Sequence, residues 1–175
     1  MFFVCPKCGK METLYSSGNF IECKKCGFKA EYTNNLQLVT NDEGINFHKM
    51  LDWYNYQIRY VNNLQINGDI IFNDKDVRVF EINPYKKRKL ISNGSFKLFK
   101  DKLVLENINI DVKNIFVASP IGGRKFAFST EDKNYLVIGN ERFNPLKYIL
   151  LFNKLDTKMK LNNTDIYFDL NEREE

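Results

Sequence analysis

The hydrophobic pattern changes period twice along the chain. Up to Tyr32 the apolar residues come in short groups. Thr13-Leu14-Tyr15, Phe20-Ile21-Glu22 and Phe28–Tyr32 predict three short strands, with Ser16–Asn19 as a turn between the first two. Residues 34–44 are mostly polar and predict a loop, with Asn41-Asp42-Glu43-Gly44 as its turn. From Ile45 to Leu64 the spacing becomes three and four: Phe47, Met50, Leu51, Tyr54, Ile58 and Val61 predict one apolar face of a helix. Trp53, Tyr56 and Tyr60 add an aromatic stripe. A membrane-interface helix carries such a stripe beside a strongly cationic face, but only Lys49 and Arg59 are basic here. The expectation is therefore a helix that connects two domains and buries both faces.

From Ile70 onward short strands dominate. The predicted strands are Val77–Ile82, Lys89–Phe99, Leu103–Glu106, Val112–Ala118, Lys125–Ser129 and Tyr135–Ile138. Turn signals separate them at Asn83-Pro84, Asp101-Lys102, Gly122-Gly123 and Asp132–Asn134. Even spacing of this kind predicts an antiparallel sandwich or barrel. A last helix follows, with Asn144 as N-cap, Pro145 at the first helical position, and Leu146, Ile149, Leu150 and Phe152 as its apolar face. Six or seven strands and a terminal helix resemble a pleckstrin-homology-like (PH) or GRAM-like domain. The stretch Ser95–Leu105 is similar to the GRAM pattern of strand, tight turn and strand, and the resemblance spans about residues 68–158.

Four cysteines add chemistry to this mainly β pattern. They read Cys5-Pro-Lys-Cys8-Gly9 and Cys23-Lys-Lys-Cys26-Gly27, and the chain has no others. Two residues between cysteines let one tight turn offer both sulfurs to a single ion, and four thiolates complete a tetrahedral shell. Gly9 and Gly27 then supply the positive φ that such a turn needs. Cys5, Cys8, Cys23 and Cys26 are thus the expected ligands of a structural Zn2+, with an iron site of the rubredoxin type as the rival. A catalytic zinc keeps an open position, which four cysteines do not leave. The start of the chain has neither the basic region nor the apolar length of a signal peptide, which predicts thiols kept as metal ligands in the cytosol.

Charge changes the picture only locally. Lys and Arg number 26 and Asp and Glu 22, so the net charge is +4. That permits an anionic partner without demanding one. The densest cluster is Tyr85-Lys86-Lys87-Arg88-Lys89, between the first two predicted strands of the second domain. In PH domains, the resembled fold, that loop grips lipid phosphates. Lys86, Lys87, Arg88 and Lys89 are therefore the expected contacts for anionic phospholipid headgroups, against the plainer reading of a solvated loop that protects strand edges. Lys7, Lys10, Lys24, Lys25 and Lys29 make nucleic acid the alternative partner. His48, the one histidine, stands four residues before Asp52. With no nucleophile or oxyanion donors beside it, the pair predicts a surface or capping contact, and no complete catalytic set is found.

The order of parts carries a wider resemblance. Cys5-Pro-Lys-Cys8-Gly9, Leu14–Asn19, Cys26–Tyr32 and Leu51-Asp-Trp-Tyr-Asn-Tyr-Gln57 are similar to the C-terminal extension of some bacterial lysophospholipid (1-acylglycerol-3-phosphate) acyltransferases. The family's catalytic His-x4-Asp motif is not matched, because His48 and Asp52 have three residues between them, and its Pro-Glu-Gly-Thr-type block is absent. The resemblance therefore implies the accessory region without the catalytic domain.

The expected organisation is a zinc ribbon at 1–40, a loop and connecting helix at 41–66, a PH/GRAM-like domain at 67–160 and an acidic tail at 161–175. The expected function is non-catalytic docking to an anionic membrane surface or a protein partner. No apolar run is long enough to span a bilayer, so the expected location is cytoplasmic and peripheral to the inner membrane face.

Overall fold

A computed structural model describes residues 2–66, 70–83, 85–106 and 108–155. The chain divides after Leu64 into two compact units. Both are mainly β, each with its own antiparallel sheet and one helix. The acidic tail at 161–175, and Pro84 of the expected Asn83-Pro84 turn, lie outside the described residues.

The first unit is a four-stranded meander. It comprises β1 (Leu14–Ser17), β2 (Phe20–Cys23), β3 (Lys29–Tyr32) and β4 (Leu38–Thr40), paired in sequence order. β4 replaces part of the expected loop at 34–44. Only Leu38 of its three residues is buried, and so short an apolar signal gives no alternation to read. Leu36 turns the chain back at φ 60°.

Helix α1 spans Met50–Asn63, not 45–64. The Asp52 carboxylate fixes its start by accepting the backbone N–H groups of His48 and Lys49, each at 2.8 Å. Those donors face no intrahelical acceptor, so an acidic residue in the first turn stabilises the start. Ile45 and Phe47 remain outside the helix and pack against the core as loop residues. The buried stripe also differs from expectation. It is Trp53, Gln57 and Val61, whereas Leu51 is about half exposed. Trp53 comes from the aromatic stripe, and Val61 from the expected apolar face.

The second unit is one seven-stranded antiparallel sheet. Its strands are β5 (Phe72–Asn83), β6 (Lys86–Leu98), β7 (Lys102–Leu105), β8 (Ile108–Asp111), β9 (Val117–Pro120), β10 (Lys125–Ser129) and β11 (Asn134–Ile138). In space they run β8-β7-β6-β5-β11-β10-β9. Two meanders thus join through the β5–β11 pair, with Val79 opposite Val137. Strand β8 was not expected, and the strand expected at Val112–Ala118 divides. Val112–Asn114 is a turn of 3-10 helix and β9 begins at Val117. Buried Val112 and Ile115 stand three residues apart, which is the 3-10 period and not the strand period.

Strands β5 and β6 are twelve and thirteen residues long and carry three register shifts. The first of these lies at Asp76, whose φ is 56°. Bulges of this kind bend and twist a long hairpin.

Helix α2 (Pro145–Leu155) covers the buried face of this sheet. Asn144 Oδ1 accepts the N–H of Leu146 at 3.0 Å, so Asn144 is the cap its sequence position predicts. Tyr148 stacks on Phe126 and meets Phe96 edge-on. Beside it Lys147 is fully buried and pairs with Asp74 of β5 at 2.8 Å. The Tyr148 hydroxyl donates to the same carboxylate oxygen. The Lys147 ammonium also lies over the Phe72 ring, 5.2 Å from its centre. This polar group ties the helix to the first strand inside an aromatic core.

Candidate metal centre and basic surface

The two cysteine pairs form matching turns. Gly9 N–H donates to Cys5 O at 2.9 Å, and Gly27 N–H donates to Cys23 O at 3.0 Å. The chain then returns in the same way at both. Cys5 N–H donates to Lys10 O and Cys23 N–H to Phe28 O. Gly9 and Gly27 have φ of 65° and 71°, the left-handed conformation expected for the residue after each pair. The β1–β2 hairpin brings the second turn beside the first, with Leu14 opposite Cys23.

The sulfurs converge. Cys5 Sγ lies 3.6 Å from Cys26 Sγ, and Cys8 Sγ lies 3.8 Å from Cys23 Sγ. All four lie within 4.8 Å of one another. A tetrahedral thiolate shell with metal–sulfur bonds of about 2.3 Å has edges of about 3.8 Å, so the four sulfurs fit one central ion. None of the cysteines is in a disulfide, whose bond would be about 2 Å. Burial, the largest influence on Cys5, pushes its thiol well above the usual range. Burial acts on Cys23 in the same sense, but the Thr13 hydroxyl at 3.2 Å and the backbone N–H groups of Lys25 and Cys26 bring it down to about 6.

Helix α1 holds this centre in place through residues that periodicity alone does not single out. Trp53 Nε1 donates to Val4 O at 3.1 Å, and its ring stacks on Phe2 and meets Phe28 edge-on. Gln57, also fully buried, accepts the Phe3 N–H at 2.6 Å and the Val4 N–H at 3.4 Å. The segment leading into Cys5 is thus bonded to two side chains one helical turn apart. A glutamine four residues after a tryptophan is the trace of this in the sequence, and it is a weak one.

His48 and Asp52 meet through the backbone. The contact runs from the His48 backbone N–H to the carboxylate, in the capping role described above.

Lys86, Lys87, Arg88 and Lys89 are all exposed, but they are not a loop. They are the first four residues of β6, after a turn in which Tyr85 N–H donates to Asn83 Oδ1. Successive strand residues point to opposite faces, so the four cations do not converge on a single phosphate. Arg88 lies over the Phe80 ring at 4.7 Å, and Lys89 stands opposite Glu81. Three lysines of the first unit are likewise engaged. Lys7 pairs with Asp42 and Lys24 with Glu22, while Lys29 lies over Phe20. Glu22 and Glu31 share a sheet face with Tyr15 and Phe20. Carboxylates there oppose a phosphate backbone.

No helix among the described residues is long and apolar enough to cross a membrane. Comparison of the chain with models of protein families and with curated proteins found no match.

Proposed function

We propose that the chain is a non-catalytic docking module: a structural zinc ribbon followed by a PH/GRAM-like domain that binds anionic membrane surfaces. The convergence of four thiols into one closed shell carries the first part of this reading. Zinc fits it because zinc accepts an all-thiolate tetrahedron and needs no redox partner. Cys5, Cys8, Cys23 and Cys26 would hold the ion, whose contribution is to cross-link a small unit. The order of the seven strands, two meanders joined through their first and last members and covered by a C-terminal helix, supports the PH-like reading.

The cationic start of β6 supports the membrane reading, as a spread array under a headgroup layer and not as a single phosphate pocket. The resemblance to acyltransferase extensions supports a role for such a module beside phospholipid acylation. Two measurements test the proposal. Elemental analysis of the purified protein should give about one zinc per chain. Sedimentation should recover the protein with phosphatidylglycerol-containing vesicles and not with phosphatidylcholine vesicles, less so as salt rises and less after neutralising Lys86, Lys87, Arg88 and Lys89. Equal recovery with both vesicles, or iron in place of zinc, would refute the corresponding half.

A further inference from the structure

The register of the second sheet sorts its side chains into two faces. Val79, Val137, Phe126 and Phe128 are buried on one. Their strand neighbours therefore point away from that core. One outward row runs Leu90, Phe80, Leu136, Ala127 across β6, β5, β11 and β10. The next row on one side runs Ile82, Asn134, Ser129, Val117. On the other side it runs Asn93, Arg78, Ile138, Lys125.

The composition of these rows is one-sided. Leu90 and Val117 are about half exposed, and Phe80, Ile82, Leu136 and Ile138 are partly so. The charged residues are Arg78 and Lys125, together with Arg88, whose guanidinium lies over Phe80. No carboxylate occupies these strand positions. Glu81, the nearest in β5, stands in the other alternation with Tyr135 and is held by Lys133 at 3.2 Å.

We propose that this outward sheet face, and not the hairpin tip alone, is the surface that lies on an anionic bilayer. The inference rests on the membrane-docking reading above and names where the contact is made. Across β6, β5, β11 and β10 these outward strand positions combine exposed apolar side chains with Arg78, Arg88 and Lys125 and hold no carboxylate, the nearest exposed acids being Glu131 and Asp132 in the β10–β11 turn and Asp111 in β8; such a mixture matches the headgroup and acyl layers of a bilayer interface. Arg78, Arg88 and Lys125 reach phosphates, while Leu90 and Val117 enter the boundary with the acyl chains. Long basic side chains can lie along apolar neighbours and still keep their charge in the headgroup layer, and Arg88 already lies against such a neighbour, Phe80.

The test uses the full chain carrying Leu90→Trp or Val117→Trp, both exposed positions. Trp53 is buried and gives a constant background. Vesicles of mixed phosphatidylglycerol and phosphatidylcholine should shift the new emission to the blue, and phosphatidylcholine alone should not. Arg78→Gln with Lys125→Gln should weaken vesicle partitioning roughly twenty-five-fold, about fivefold for each cation removed. An unchanged circular dichroism spectrum confirms that the variant is folded. Undiminished binding of that variant, with binding lost instead in Lys86→Gln, Lys87→Gln, Lys89→Gln, would overturn this inference and leave the docking module standing. Absence of binding to any vesicle would overturn both. A blue shift with polyglutamate and none with vesicles would assign the face to an acidic protein and overturn the membrane contact.

Discussion

Single residues do different work in the two units. In the first, Cys23 sits where burial, ligand chemistry and hairpin register meet, opposite Leu14 and against Thr13. Cys23→Ser should abolish stoichiometric metal and lower thermal stability sharply, with zinc content and melting temperature as the readouts. Asp52 is a capping residue. Asp52→Ala should destabilise by about 1 kcal/mol in urea unfolding.

The same carboxyl gives a pH signature. The Lys49 N–H, its largest influence, holds it below its ordinary value of 3.8, against opposing burial. A depressed carboxyl contributes stability that is present above its unfolded value and is lost as pH falls through the folded value. Asp52→Asn should therefore flatten the acid limb of the stability curve below pH 3.8 and leave the neutral region with a constant offset. Gly139 is a third case, set by space. A Cβ there would lie 1.9 Å from the Phe143 ring, so Gly139→Ala should cost about 1–3 kcal/mol and blur the aromatic core, visible in near-ultraviolet circular dichroism.

At the scale of elements, the polar bolt between α2 and β5 decides how the helix seats. Lys147 and Asp74 lie inside an aromatic core, where removing one partner strands the other. Asp74→Ala should cost about 3–5 kcal/mol in urea unfolding, and Lys147→Met with Asp74→Leu should recover much of that loss. Recovery would show that the pair specifies helix position more than it stabilises the fold. The Tyr148 hydroxyl also loses its carboxylate acceptor in the double variant and keeps the longer bond to Phe96 O at 3.4 Å, so the recovery should be incomplete. The β5–β6 hairpin makes the opposite point. Its three register shifts turn a long ribbon, in which the first half of β5 meets α2 and the second half pairs with β11.

The whole molecule consists of two units stabilised by different means. The first unit has a small apolar core around Phe28 and Trp53, completed by two of the cysteines. The second has an extended aromatic core with Phe96, Phe126 and Tyr148 at its centre. Removing the proposed zinc with a chelator should therefore unfold the first unit and leave the second sheet intact. Hydrogen exchange checks this: amides of β1–β4 should lose protection on chelation while those of β5, β10 and β11 keep it. Simultaneous loss in both units would mean that the second sheet depends on the first.

Much of this plan is written locally. The cysteine spacing and the two glycines after it set the paired turns, because a tight turn with positive φ is a matter of a few adjacent residues. Asn144 and Pro145 mark a helix start for the same reason. Strand β10 keeps the bounds its alternation predicts, since five residues with a buried phenylalanine at every second position have one plausible reading. Other features depend on partners far along the chain. The acidic and basic residues of Asn73–Asp76 look like loop, and only Lys147, some seventy residues later, makes Asp74 a buried strand position. The face of α1 is chosen by the carbonyl and N–H groups of residues 3 and 4, which periodicity within the helix cannot reveal. The sorting of Arg78, Lys125 and Leu90 onto one acid-free face is a product of register between four strands. β5, β6 and β10 carry one of these residues each, and hydrogen bonding through β11 gathers them.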